Sequence, residues 1–93
     1  IVFIFALVLC SSTFAQDYSY VFKIQGVTTA ADAKWKIEEM RNITGVKIFY
    51  FNDDTDEFRM VNERYPLNME ELQEDLNAFG IYLDGGYEYF ISE

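Results

Sequence analysis

Ile24-Gln25-Gly26-Val27-Thr28-Thr29-Ala30-Ala31-Asp32-Ala33 lies where one periodicity gives way to another. Upstream, Tyr18, Tyr20, Phe22 and Ile24 alternate with Ser19, Val21, Lys23 and Gln25. A period of two predicts a strand with its aromatic face inward. Downstream, Ala33, Ile37, Met40 and Thr44 recur at helical spacing, with Ile43 at the edge of the stripe, so a helix is expected from Ala33 to Ile43. The stretch between them is a strand-to-helix turn, and Gly26 supplies the backbone freedom such a turn needs. Thr29 suits the N-cap. Asp32, three residues on, takes the acidic position of a capping box, in the first turn where the helix dipole favours an anion.

Outward from this turn, Gly45 is the stop signal of the first helix. Val46 to Phe51, rich in β-branched and aromatic residues, predicts a second strand. The polar run Asn52-Asp53-Asp54-Thr55-Asp56 predicts a turn, and Glu57 to Asn62 a third strand paired with the second as a hairpin. Pro66 marks Arg64 to Leu67 as a connection. Asn68, with Glu71 three residues on, begins a second helix, whose stripe is Met69, Leu72, Leu76 and Phe79 and whose stop is Gly80. Ile81 to Leu83 begins a last strand, Asp84-Gly85-Gly86 interrupts it as a bulge or turn, and Tyr87 to Ile91 resumes it. The order β-α-β-β-α-β is the ferredoxin-like plan, an α+β sandwich of one antiparallel four-stranded sheet with two helices on one face.

The opening turn also resembles the metal loop of heavy-metal-associated (HMA, copper-chaperone-like) domains, where Gly-Met-x-Cys-x-x-Cys joins the first strand to the first helix. Gly26 holds the glycine position, Val27 the methionine, and Thr29 and Asp32 the two cysteines. Ile43-Thr44-Gly45-Val46 is similar to the family's Leu-x-Gly-Val link, and Ala78-Phe79-Gly80-Ile81-Tyr82 to its closing helix-Gly-aromatic segment. The resemblance covers nearly all of the chain after Ala15 and implies the same fold. It also implies a metal loop that has lost its chemistry. Two thiolates at a helix N-terminus hold Cu(I) or Zn(II) because soft sulfur suits these metals. A Thr hydroxyl and an Asp carboxylate are hard oxygen donors. Tight Cu(I) or Zn(II) binding and a bound cofactor are therefore not expected. Gly26, Thr29 and Asp32 are read as degenerate metal-loop positions that serve the turn and the cap. Metal binding or metal transport through oxygen ligands is the alternative.

A chain of 93 residues fits one domain, here expected from Gln16 to Glu93. Ile1 to Leu9 is almost purely apolar, and Thr13 and Ala15 occupy the small-residue positions of a signal-peptidase site before Gln16. With no Met and no basic region ahead of it, residues 1–15 are expected to be a signal peptide shortened at its front. The protein is then exported, to a periplasm or the extracellular space. The apolar run falls short of the ~20 residues of a membrane span, so no membrane contact is expected after cleavage. Cys10, the only cysteine, lies within this segment. The remainder has neither Cys nor His and can form no disulfide, so its stability rests on its core. A domain this small buries only about 60% of its unfolded surface, and an aromatic content of 18% compensates with large area per ordered residue. The net charge of −9 argues against nucleic acid and anionic lipid, and favours cationic partners, hard cations or simple solubility.

Asn52, Asp54, Asp56 and Glu63 fall at the first, third, fifth and twelfth places of a calcium-loop count. The sixth place is Glu57 where that loop needs glycine, so a solvated acidic turn is expected, with a weak hard-metal site as the lesser reading. Met40, Met60 and Met69 are read as core. No catalytic constellation is visible: Ser19 and Ser92 have no base partner, and the protein is not expected to be an enzyme. If Tyr20, Phe22, Phe49, Phe51, Phe58 and Met60 point inward, then Val21, Ile48, Tyr50, Val61 and Phe90 point outward on the face no helix covers. An apolar strip of that size marks a contact site. Trp35 lies nearly opposite the Ala33-Ile37-Met40 stripe, and exposed Trp is typical of interfaces. The expectation is a non-enzymatic binding module whose partner is a protein or a second copy of the chain.

Overall fold

The aromatic alternation of the first strand organises the whole structure, a computed structural model that describes residues 16–92. The expected signal peptide with its Cys10, and Glu93 at the other end, lie outside the described residues. The elements are β1 (Asp17–Ile24), α1 (Ala30–Thr44), β2 (Ile48–Asn52), β3 (Glu57–Glu63), α2 (Met69–Ala78) and β4 (Leu83–Ser92). All strand pairs are antiparallel, in the spatial order β2-β3-β1-β4. This is the ferredoxin-like α+β fold that the element order predicts.

The local signals act as their chemistry requires. Gly26 takes φ 83°, the left-handed conformation the turn needs, and Val27 folds back into the core. Thr29 is extended, and its Oγ1 accepts from the Asp32 amide at 3.2 Å. This is the half of the capping box in which the cap accepts, and it satisfies one of the orphan donors of the first turn. The helix begins at Ala30, three residues earlier than the apolar stripe indicates, because the cap rather than the stripe sets its start. At its other end the Thr44 hydroxyl donates to the Met40 carbonyl and accepts from the Val46 amide. In α2, Asn68 Oδ1 accepts from the Glu71 amide at 3.2 Å.

The core is one cluster drawn from the inner face of the sheet and the facing stripes of the helices. Tyr20, Phe22, Phe49, Phe58 and Met60 from the sheet meet Ala33 and Met40 of α1 and Met69, Leu72 and Leu76 of α2. Phe51 and Ile37 pack at its border, half-buried. The Phe22 and Phe58 rings stack within it, centroids 5.9 Å apart, and Phe51 packs on Phe58 from the border at 4.8 Å.

One sequence expectation is corrected and one is made specific. Phe79, placed in the stripe of α2, is 68% exposed. The helix ends at Ala78, and Phe79 is its C-cap. The chain then reverses through Gly80 at φ 81°. The Gly80 amide donates to the Asn77 carbonyl and the Ile81 amide to the Leu76 carbonyl, both at 3.0 Å. This is a Schellman closure, whose buried contact is between Ile81 and Leu76 and not Phe79. Of the two readings of Asp84-Gly85-Gly86, bulge or turn, the structure has the bulge, within one strand from Leu83 to Ser92. Phe22 pairs with Tyr87 and Ile24 with Leu83, so two steps along β1 match four along β4. The interruption is a bulge, with Gly85 at φ 87°.

Candidate interaction surface

Strand alternation and register place the five outward residues in two adjacent rows of one face. Ile48, Val61, Ser19 and Phe90 stand side by side across β2, β3, β1 and β4. The next row is Tyr50, Arg59, Val21 and Glu88. Both helices lie on the opposite side of the sheet, so among the described residues this face has no second layer. Tyr50 is 60% and Phe90 44% exposed, while Val21, Ile48 and Val61 are half-buried by their neighbours on the strands. Ser19 is almost fully buried at the centre of the first row.

Arg59 belongs to this surface and was not singled out from the sequence. It alternates with Phe58 and Met60 on β3, so the same period of two points it outward. Its guanidinium lies 6.0 Å from the centroid of the Phe90 ring, within cation–π range. The strip is therefore not purely apolar: one cation sits between Tyr50, Val21 and Phe90. A shallow depression of about 290 Å³ lies beside Val21, Tyr50 and Arg59. That is at the small end for a small-molecule pocket, and Asn52, Glu57 and Arg59 line it beside the apolar side chains.

The remaining candidates do not join this surface. Trp35 is 73% exposed on α1, so the helix phase read from the sequence is right, but it belongs to the helix layer on the other side of the sheet from the strip. One flat partner surface cannot reach both. In the turn before α1, Thr29 and Asp32 are joined by the cap bond, and both are exposed. At the acidic turn, Asn52 Oδ1 accepts from the Asp54 amide at 2.9 Å, a turn-stabilising bond. Asn52, Asp54 and Asp56 flank one hairpin end, whereas Glu63 lies at the far end of β3, roughly 20 Å away at strand rise. The four acids and amides of the calcium-loop count thus do not converge. Among the described residues no group of three or more His, Cys, Asp or Glu is placed to hold a metal ion.

On the helix side of the sheet, β4 holds a feature that alternation alone did not reveal. Tyr87, Tyr89 and Ile91 face inward opposite Phe22, Tyr20 and Tyr18, yet are 42%, 45% and 55% exposed. Tyr89 packs on Tyr20 at 5.0 Å and stacks with Tyr18 at 6.4 Å. Its hydroxyl is held above the ordinary tyrosine pKa, first by desolvation and then by the Tyr20 and Tyr18 hydroxyls.

No protein-family model, no curated protein and no solved structure matches this chain.

Proposed function

We propose that the chain is a non-enzymatic binding module of heavy-metal-associated type, exported, whose metal loop has been reduced to a turn and a helix cap. It contacts another protein, or a second copy of itself, through the outer face of the sheet. The observation that carries this reading is the double row Ile48-Val61-Ser19-Phe90 and Tyr50-Arg59-Val21-Glu88, apolar apart from the buried Ser19, the central arginine and the outer glutamate, and covered by neither α1 nor α2. Burying Tyr50 and Phe90 under a partner would add aromatic area of the kind that anchors interfaces. Export rests on the pattern of residues 1–15, and the family assignment on the glycine positions and apolar spacing.

Sedimentation velocity of the wild type against Tyr50→Glu, alone and with Trp35→Ala, tests the surface, alongside capture from an extract. Tyr50→Glu is expected to abolish self-association or capture, and Trp35→Ala to leave both unchanged. If wild type and Tyr50→Glu are both monomers and capture identical proteins, the sheet face is inert.

A further inference from the structure

Edge strands of monomeric proteins carry features that stop a further strand from adding: lysines, prolines, or short length. β4 is an edge strand of 10 residues and holds neither Lys, Arg nor Pro. One side of it pairs with β1 and the other pairs with no strand among the described residues. Its bulge lies at the Gly85-Gly86 end, leaving Tyr87 to Ser92 regular. The face beside this edge is prepared as well. Tyr87 and Tyr89 form a shelf that continues, through Tyr20, Pro66, Leu67 and Met69, into a groove of about 250 Å³. Of the two helices only Met69, the first residue of α2, lines this shelf, and β4 contributes only the half-buried Leu83 to the core cluster.

Charge selects the occupant. The only charged residues within Leu83–Ser92 are Asp84 and Glu88, and both are exposed. The whole chain carries −9. A second copy added here edge to edge would set Asp84 and Glu88 against the same two acids, which is unfavourable. A strand bearing cations faces attraction at the same positions.

We propose that the free edge of β4 takes up an extended, lysine- or arginine-bearing peptide segment of a partner by strand addition. Backbone hydrogen bonds to β4 supply the affinity, as in other augmented sheets. Alternate apolar side chains of the segment lie on the Tyr87–Tyr89 shelf, and its cations pair with Glu88 and Asp84. The strand edge and the shelf lie beside the outer face around Arg59 and share with it only Glu88, at its rim.

The test is titration of the full chain with a fluorescein-labelled peptide of alternating lysine and valine, with hydrogen exchange of β4 amides read in parallel. The comparison peptides carry N-methyl groups at every second residue, or glutamate in place of lysine. Expected results are saturable binding, slowed exchange in Tyr87 to Ser92, and at least about tenfold weaker binding of both comparison peptides. Asp84→Lys with Glu88→Lys, two exposed substitutions that leave the core intact, is expected to weaken binding by a similar factor. Tyr50→Glu leaves it unchanged, so failure of the outer-face reading and failure of this one are distinguishable. Equal binding of the N-methylated peptide without slowed exchange would mean diffuse charge attraction and overturns the proposal. Protection of β4 that rises with protein concentration alone would identify a second copy as occupant and overturns it too.

Discussion

Tyr20 joins the sheet to the helix layer through one oxygen. Its ring is almost fully buried, and its hydroxyl accepts from the Leu67 amide at 2.8 Å, across 47 residues of sequence. The same oxygen lies 3.5 Å from the Leu67 carbonyl. A buried tyrosine usually finds such a partner, and here the partner is the segment that leads into α2. Tyr20→Phe keeps the ring but strands the Leu67 amide in a partly buried site. The expected loss is about 1–3 kcal/mol, the cost of an unsatisfied buried group, read from urea denaturation. A loss below about 0.5 kcal/mol would mean that water replaces the hydroxyl there without penalty. Arg59 teaches a related point from the other face. Its place on the outer strip follows from alternation, but its approach to Phe90 depends on two strands that are not neighbours in sequence or in the sheet.

At the scale of elements, α2 shows how a stripe and a stop signal compete for one residue. Phe79 has the spacing of the stripe, but Gly80 must turn left-handed to close the helix, and the apolar contact passes to Ile81. Leu76 lies at the centre of this arrangement, 1% exposed, with its carbonyl receiving the Ile81 amide. Leu76→Ala is expected to destabilise by about 2–5 kcal/mol, the range for a buried leucine that leaves a cavity. Urea titration measures it, and a loss below about 1 kcal/mol would contradict the packing described. β4 shows the opposite case. Its sequence alternates like that of β1, yet its inner residues stay exposed because neither helix lies over that edge.

For the whole molecule, the fold stands apart from the proposed origin of its first turn. The strand-turn-helix is formed and Thr29 and Asp32 are joined there by the cap bond. In a Cys10→Ser background, the chain is expected to show no tight Cu(I) binding. The same chain with Thr29→Cys and Asp32→Cys is expected to gain it, measured by competition with a chromophoric Cu(I) chelator. Strong binding without the added cysteines would overturn the degenerate-loop reading, and no gain with them would count against the family resemblance. The sequence by itself determined the element order, the caps at Thr29 and Asn68, the stops at Gly45 and Gly80, and the inward set Tyr20, Phe22, Phe49, Phe58 and Met60. These are matters of local backbone chemistry and of period, which a linear pattern records directly. Only the tertiary structure decided that Phe79 leaves the core, that Trp35 and the sheet strip lie on opposite sides, and that Glu63 is remote from the acidic turn. It alone decided, too, that Tyr87, Tyr89 and Ile91 remain uncovered. Each of these depends on where one element lies over another, and alternation states which side of a strand a residue takes, not whether anything is packed against that side.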